Sequence, residues 1–259
     1  MHPVLLDVGG YAIPTYGVCL ALGLLIGLLV GGVRARRDGL PFEIAWDLGI
    51  IAMVAGIVGS RAEYVRSHLW RFSWDEPLRV FALRDGGMVF YGGLILTLAA
   101  YAAYGRWKGI SFFALTDLMA PSVALGHALG RVGCLLAGCC YGAPTDSWWQ
   151  VTFPEGAVAP AGVARVPTQV HEVLFNLALF ALFWSLPRRF VGQRLALLLS
   201  LYGIFRAWNE TMRADDRGFV FGGLLSTGQA TAIALTAAAI VIVITQRKVR
   251  PTLEKVSVG

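Results

Sequence analysis

The 259-residue sequence predicts an all-α integral membrane protein of about seven transmembrane helices, and three observations carry that prediction. Hydrophobic residues make up 56% of the chain, charged residues 15%, and the mean hydropathy is +0.63, too apolar for an ordinary soluble domain. Apolar stretches of about 18 residues or more, the length that crosses a bilayer core, begin near Tyr16, Ala45, Met88, Phe112, Val170, Arg194 and Ser226. Basic residues, among them Arg34, Arg36, Arg37, Arg106, Lys108, Arg188, Arg189, Arg247 and Lys248, fall in alternate connections and the C-terminal tail. By the positive-inside rule that side is cytoplasmic, and the N terminus lies outside.

The net charge of +6 comes from 22 Lys and Arg against 16 Asp and Glu, and only Lys108, Lys248 and Lys255 are lysines. Arginine grips flat anions bidentately where lysine acts as a point charge, so the bias suits phosphate contacts as well as topology. No glycine-rich nucleotide loop follows a strand, and no basic segment is patterned for nucleic acid, so no nucleic-acid partner is expected. The first span lacks the basic flank and small-residue cleavage site of a signal peptide and is expected to be retained.

In chain order, Met1 to Pro14 reads as a short polar lead-in with Gly9-Gly10, and the first span runs from Tyr16 to Arg34. Tyr16 fits the aromatic belt of a membrane interface. The second span carries Gly56, Gly59 and Ser60, small residues that let another helix approach, and Arg61 and Glu63 read as interface charges near its end. Residues 66–87, with Arg66, Arg71, Arg79, Arg84, Trp70, Phe72 and Trp74, break the charge rule and read as an interfacial arm. Gly86-Gly87 and Gly92-Gly93 bracket the start of the third span and present Tyr91 between them.

The fourth span holds the most informative stretch, Gly126 to Gly142, with His127, Arg131 and three of the four cysteines. A guanidinium in hydrocarbon costs roughly 2.5 kcal/mol or more, so an anionic partner is expected. Offsets of four, three and four place His127, Arg131, Cys134 and Gly138 on one helix face. The C-x4-C-C order of Cys134, Cys139 and Cys140 lacks the paired spacing of zinc motifs. No metal or other cofactor is therefore expected, and the cysteines read as packing residues, with oxidation of the Cys139-Cys140 pair as a weaker alternative.

Residues 141–168 form a loop long enough to act as a cap, and its Pro154, Gly156, Pro160 and Gly162 argue against a regular element. Gln169, His171 and Glu172 then stand at the edge of the fifth span. On the sixth, Tyr202, Arg206 and Glu210 are spaced four apart on one face. Arg131 and Arg206, on different helices, suggest a seat for an amphipathic anion, of which a phospholipid is the commonest.

Gly130-Arg131-Val132-Gly133-Cys134-Leu135 through Gly142 resembles the signature of the bacterial prolipoprotein diacylglyceryl transferases. Further blocks agree in order: Tyr16-Gly17, Gly59-Ser60-Arg61 with Tyr64, Asp85-Gly86-Gly87-Met88 through Ile95, and Asp117 with Ala120-Pro121. So do Pro167-Thr168-Gln169 with Glu172, Tyr202-Gly203 with Phe205-Arg206, Glu210 and Arg213, and Leu225-Ser226 with Gly228-Gln229.

The resemblance implies one transmembrane transferase domain over residues 1–259, with a lipid cavity open sideways to the bilayer, a periplasmic cap over 141–168 and a cytoplasmic tail over 247–259. It places the chain in the bacterial inner membrane as a multi-pass protein, expected to be a monomer. Phosphatidylglycerol would be the donor, and the lipobox cysteine of a prolipoprotein signal peptide the acceptor. Arg131, Arg206, Tyr91 and Glu210 are the implied catalytic residues, with Arg131 also gripping the head group. Tyr16, Arg61, Gly92, Gly93, Cys134, Gly142, Gln169 and Tyr202 are the implied substrate-binding residues.

Two departures from the family pattern stand out. Tyr91 replaces a histidine proposed as the base for the thiol, and a phenol is a poor base near neutral pH. Cys134, Ala137 and Cys139 replace asparagine, asparagine and an acidic residue. These changes leave open a transferase with a different acceptor, or a lipid-binding membrane protein without catalysis.

Overall fold

The computed structural model describes residues 2–72, 77–83, 86–214, 219–220 and 224–247. Trp74, Arg84, Asp85 and the tail from Lys248 onward lie outside them. Among the described residues, seven α-helices of 18 residues or more carry the fold: α1 Thr15–Arg37, α2 Phe42–Ser67, α3 Phe90–Lys108, α4 Phe112–Ala137, α5 Thr168–Ser185, α6 Gln193–Glu210 and α7 Thr227–Gln246. Four of them, α1, α2, α4 and α7, are long and apolar enough to cross a membrane by length and composition. Their outward side chains, among them Leu22, Leu25, Leu29, Val54, Ile57, Ile240 and Ile244, are apolar and exposed, as helices facing lipid require.

The chain divides into two compact units, Met1–Gly31 with Met119–Leu253, and Gly32–Leu118 with Glu254–Gly259. In the first, α1 lies on α4 through small residues: a Cβ added at Gly23 would meet the Gly126 carbonyl at 3.2 Å, and one at Gly133 would meet Cys19 and Tyr16. Ala120, Ala124, Leu179 and Phe183 form an apolar core between α4 and α5, with Leu197, Leu198 and Leu201 of α6 packed against it. Helix α7 packs on α6 at Gly203, whose missing side chain admits the Ala232 carbonyl. Ser226 and Gln229 start α7 with a reciprocal capping box.

Among the described residues of this unit, three two-stranded antiparallel ribbons join the helices: β1 Val4–Val8 with β2 Tyr11–Pro14, β3 Val151–Thr152 with β4 Ala164–Arg165, and β5 Phe219–Val220 with β6 Leu225–Ser226. The first corrects the reading of residues 1–14 as a polar lead-in. Gly9 and Gly10 both have positive φ and close a hairpin whose Val4, Leu5, Leu6, Val8 and Ile13 are exposed and apolar. The second corrects the expectation that the cap has no regular element. Its prolines and glycines occupy the turn and flanks, leaving Val151 and Thr152 free to pair with Arg165 and Ala164.

In the second unit α2 and α3 meet where side chains vanish. A Cβ at Gly59 would lie 2.4 Å from the Gly92 carbonyl, and one at Gly92 would lie 2.3 Å from that of Gly59. Gly93 takes Ser60 and Gly56 in the same way. The small-residue face of the second span thus finds its partner, and Gly92 and Gly93 serve that packing. Tyr101 and Tyr104 extend the contact by donating to the Leu48 carbonyl at 2.9 Å and to Asp47 Oδ2 at 2.6 Å.

The arm also belongs to this unit, and short 3-10 turns at Leu69–Arg71 and Pro77–Phe81 shape it. Arg61 is no plain interface charge. It is buried and donates to the backbone carbonyls of Val80, Arg79, Gly86 and Gly87 at 2.7, 2.8, 2.7 and 3.1 Å. Those four bonds anchor the arm to α2 and occupy the guanidinium assigned to substrate.

Candidate active site

Helix α4 places His127 and Arg131 one turn apart, and the Arg131 Nε–H donates to His127 Nε2 at 3.2 Å. The anionic partner that burial demands of Arg131 is Glu172, on the first turns of α5, fully buried and in ion-pair contact with the same nitrogen. Glu172 also draws Arg213 Nη1 to 3.4 Å, His127 Nε2 to 3.5 Å, and accepts from Asn209 Nδ2 at 3.0 Å. One carboxylate therefore gathers groups from α4, α5, α6 and the turn after α6.

A second pair stands beside it on α6. Arg206 Nη2 meets Glu210 Oε2 at 2.5 Å, the neighbouring contact expected four residues apart. Gly228 at the head of α7 leaves room for that carboxylate, since a Cβ there would lie 2.5 Å from Glu210 Cδ. Tyr202, one turn before Arg206, links the two pairs: it lies within electrostatic reach of Arg131, Glu172 and Arg206. Tyr202 also rests against the His127 ring at 5.3 Å.

Among the described residues, the guanidiniums of Arg131, Arg206 and Arg213 thus face the carboxylates of Glu172 and Glu210. Arg206 is 6% exposed, and its Nη1 has no hydrogen-bond partner among the described residues. A buried guanidinium donor left open is a seat for an anion.

The segment after α4 forms the rim of this site. Gly138 has left the helix with φ of +76°, so it ends α4 and does not continue the His127 face. Cys140 has φ of +63°, the only such non-glycine among the described residues. Thr168 and Gln169 of α5 hold the loop by donating to the carbonyls of Cys140 and Cys139, each at 2.8 Å. Beyond it, residues 141–143 lie between two other strands of backbone: Ala143 N donates to the Met212 carbonyl at 2.8 Å, and Val166 N to that of Ala143 at 3.0 Å. Gly142 is the point of closest approach, where a Cβ would lie 2.4 Å from the Val166 oxygen.

Arg165 of the cap is buried, donates to the Gly142 carbonyl at 3.1 Å and covers the Tyr141 ring. Trp149 reaches from the cap to His171 of α5, donating to Nε2 at 3.1 Å, and His171 in turn contacts Trp208 of α6.

All four cysteines are free thiols. Cys134, Cys139 and Cys140 converge so that their sulfurs lie within 4.8 Å of one another. Hydrogen bonds with Cys134 and Cys139, helped by Arg131 and Arg213, hold the Cys140 thiol below its ordinary value against the effect of burial.

Of the residues the sequence singled out, Arg131, Arg206, Glu210, Tyr16, Cys134, Gly142, Gln169 and Tyr202 belong to the first unit. Tyr16 is partly exposed on the first turn of α1, within electrostatic reach of Arg131 and the cysteines. Tyr91, Arg61, Gly92 and Gly93 belong to the second unit, where Tyr91 is half-exposed on the first turn of α3 against Phe90. Sequence reasoning missed the centre of the cluster. Glu172 appeared as a membrane-edge residue and, like Arg213, in the blocks that carry the family resemblance, but no spacing tied Glu172, Asn209 or Arg213 to Arg131.

Comparison with known proteins decides the family. Residues 3–245 match the prolipoprotein diacylglyceryl transferase family. The chain belongs to this family. Its relatives include the phosphatidylglycerol–prolipoprotein diacylglyceryl transferase 2 of Clostridium perfringens, 34% identical over 234 residues, covering 88% of this chain and 89% of the relative. The phosphatidylglycerol–prolipoprotein diacylglyceryl transferase of Bordetella avium is 36% identical over 237 residues, 88% of each chain. That of Clostridium tetani is 33% identical over 231 residues, 88% of this chain and 91% of the relative. The family match takes in both arginine–glutamate pairs, the cysteine rim and the α2–α3 glycine contact.

Proposed function

We propose that this chain transfers the diacylglyceryl group of phosphatidylglycerol to the lipobox cysteine thiol of a prolipoprotein, releasing glycerol 1-phosphate and leaving a thioether. In this reading all seven helices span the inner membrane, the N terminus and the cap face the periplasm, the C terminus faces the cytoplasm, and the chain works as a monomer. The observation that carries the reading is the buried Nη1 donor of Arg206, which has no hydrogen-bond partner among the described residues and stands beside the arginine–glutamate cluster. A phosphodiester carries one negative charge and supplies the acceptor oxygens such a site requires.

The residues divide the work. Glu172 fixes Arg131 and Arg213, so their guanidiniums are already oriented when lipid arrives. Glu210 holds one arm of Arg206 and leaves Nη1 for the phosphate. As the acceptor sulfur, its proton already given up to solvent, attacks the glyceryl carbon, a carbon–sulfur bond forms, the carbon–oxygen bond breaks and its electron pair moves to the phosphate. Donors already aimed at that oxygen stabilise it without reorganising. An apolar groove of about 640 Å³ along α6 and α7, lined by Ile204, Ala207, Leu225, Ile233 and Ile240, suits an acyl chain.

Tyr91, in place of the usual base, favours a second reading in which the acceptor is another thiol, an amine or a hydroxyl. Rescue of cells depleted of their own diacylglyceryl transferase separates the two. Growth with lipidated lipoproteins supports thiol transfer, and its loss in Arg131→Ala and Arg206→Ala supports the site. Failure of the well-expressed wild-type chain to rescue, with new lipid adducts elsewhere, would replace the acceptor.

A further inference from the structure

The three thiols at the rim have no task in the reaction as drawn above. Cys134 comes from the last turn of α4, Cys139 and Cys140 from the loop that follows, and their three sulfurs lie within 4.8 Å of one another. Zinc–sulfur bonds of about 2.3 Å set sulfur–sulfur separations of about 3.8 Å in a tetrahedron, so closure around an ion takes a movement of about 1 Å or less. The loop is held for that arrangement. Cys139 N donates to the Cys134 carbonyl at 3.0 Å, and Thr168 and Gln169 fix the next two peptides. Cys140 keeps a left-handed backbone, with φ of +63°, which an L residue adopts only where its surroundings impose it.

We propose that Cys134, Cys139 and Cys140 bind one zinc-class cation, and that its open fourth position takes the acceptor thiol. The donor set is soft and all sulfur, which selects zinc-class ions over magnesium or calcium. Three thiolates around a divalent ion carry one net negative charge, and the guanidiniums of Arg131 and Arg213, which interact with these sulfurs, offset it. Cys134 is buried but Cys139 and Cys140 are only half-buried, so the cluster is not closed off by packed protein.

The chemistry rests on the transferase reading. A thiol that coordinates zinc gives up its proton to solvent, so the site supplies the deprotonation that Tyr91 is poorly suited to perform. The bound thiolate attacks the glyceryl carbon, the carbon–oxygen bond breaks, and the phosphate leaves with the electron pair. The product thioether is a weak ligand and departs, restoring the open position.

The test uses the purified full-length chain in detergent, equilibrated with zinc chloride or cobalt(II) chloride and freed of excess metal. One equivalent of metal per chain is expected, falling at least tenfold in Cys134→Ser and Cys139→Ser. The cobalt form should show thiolate charge-transfer absorption that changes with a lipobox cysteine peptide and not with its serine counterpart. Because the wild-type spectrum itself reports the sulfur ligands, a variant that fails to fold does not decide the matter.

Metal content no higher than in the triple serine variant would overturn the proposal, as would a disulfide among these cysteines in the freshly isolated protein, or a cobalt spectrum indifferent to the cysteine peptide. Lipid transfer by metal-free protein would overturn it while leaving the transferase reading intact. Metal binding with peptide response but no transfer would uphold the site and overturn that reading.

Discussion

Glu172→Gln is the perturbation that bears hardest on the architecture of the site. Glutamine keeps the volume and an acceptor for Asn209 Nδ2, but removes the charge that Arg131 and Arg213 share at a fully buried carboxylate. Breaking a buried ion pair from one side costs about 3–5 kcal/mol, because the remaining charge stays desolvated. In a chain of this size that corresponds to a fall of roughly 6 °C or more in thermal midpoint. Scanning fluorimetry in detergent measures it.

The double variant Arg131→Met/Glu172→Gln removes one of the stranded charges, so its loss should be smaller than the sum of the two single losses by about 1 kcal/mol or more. Neither variant should transfer lipid. A midpoint for Glu172→Gln within 1 °C of wild type, with strict additivity in the double variant, would refute the reasoning that Glu172 organises the cluster.

Other perturbations reach separate parts of the molecule. Arg206→Lys loses the planar fork that spans Glu210 and an open donor, so transfer should fall by roughly 100-fold with little change in thermal midpoint; a loss under threefold contradicts the role. Gly92→Ala drives a methyl into the Gly59 carbonyl and should destabilise the chain by about 1–3 kcal/mol, read as a lower midpoint. Arg61→Met releases four backbone carbonyls of the arm, so limited trypsin digestion should cut the arm at least tenfold faster than in wild type; an unchanged rate would mean that the arm is held elsewhere.

Local signals in the sequence announced the helices well. Stretches starting near Tyr16, Phe112, Val170, Arg194 and Ser226 correspond to helices from Thr15, Phe112, Thr168, Gln193 and Thr227, because hydropathy over 18 or more residues is a short-range property of the chain. The second start, placed near Ala45, came at Phe42 because apolar content lags behind a helix that opens on Phe42-Glu43. The Arg206–Glu210 pair was visible for the same reason, as residues four apart on a helix meet.

Contacts across long separations were not legible. Glu172 and Arg213 lie 41 residues apart, and no periodicity connects them. Arg61 looked like an interface charge because its partners are backbone carbonyls, which every residue carries and no sequence pattern marks. The cysteine cluster was hidden by a turn. The C-x4-C-C order lacks the paired spacing of zinc motifs, yet α4 ends at Gly138, both Gly138 and Cys140 are left-handed, and the sulfurs converge. The N-terminal ribbon was masked because a hairpin of exposed apolar residues does not resemble a strand buried on one face.

Mass spectrometry of a lipobox peptide incubated with the purified chain and phosphatidylglycerol of defined acyl chains addresses the proposed reaction most directly. The peptide should gain one diacylglyceryl group on its cysteine sulfur, with one glycerol 1-phosphate released per adduct, and neither product should form with Arg206→Ala. An unmodified peptide in the presence of folded wild-type protein, or an adduct that forms equally well without Arg206, would contradict it.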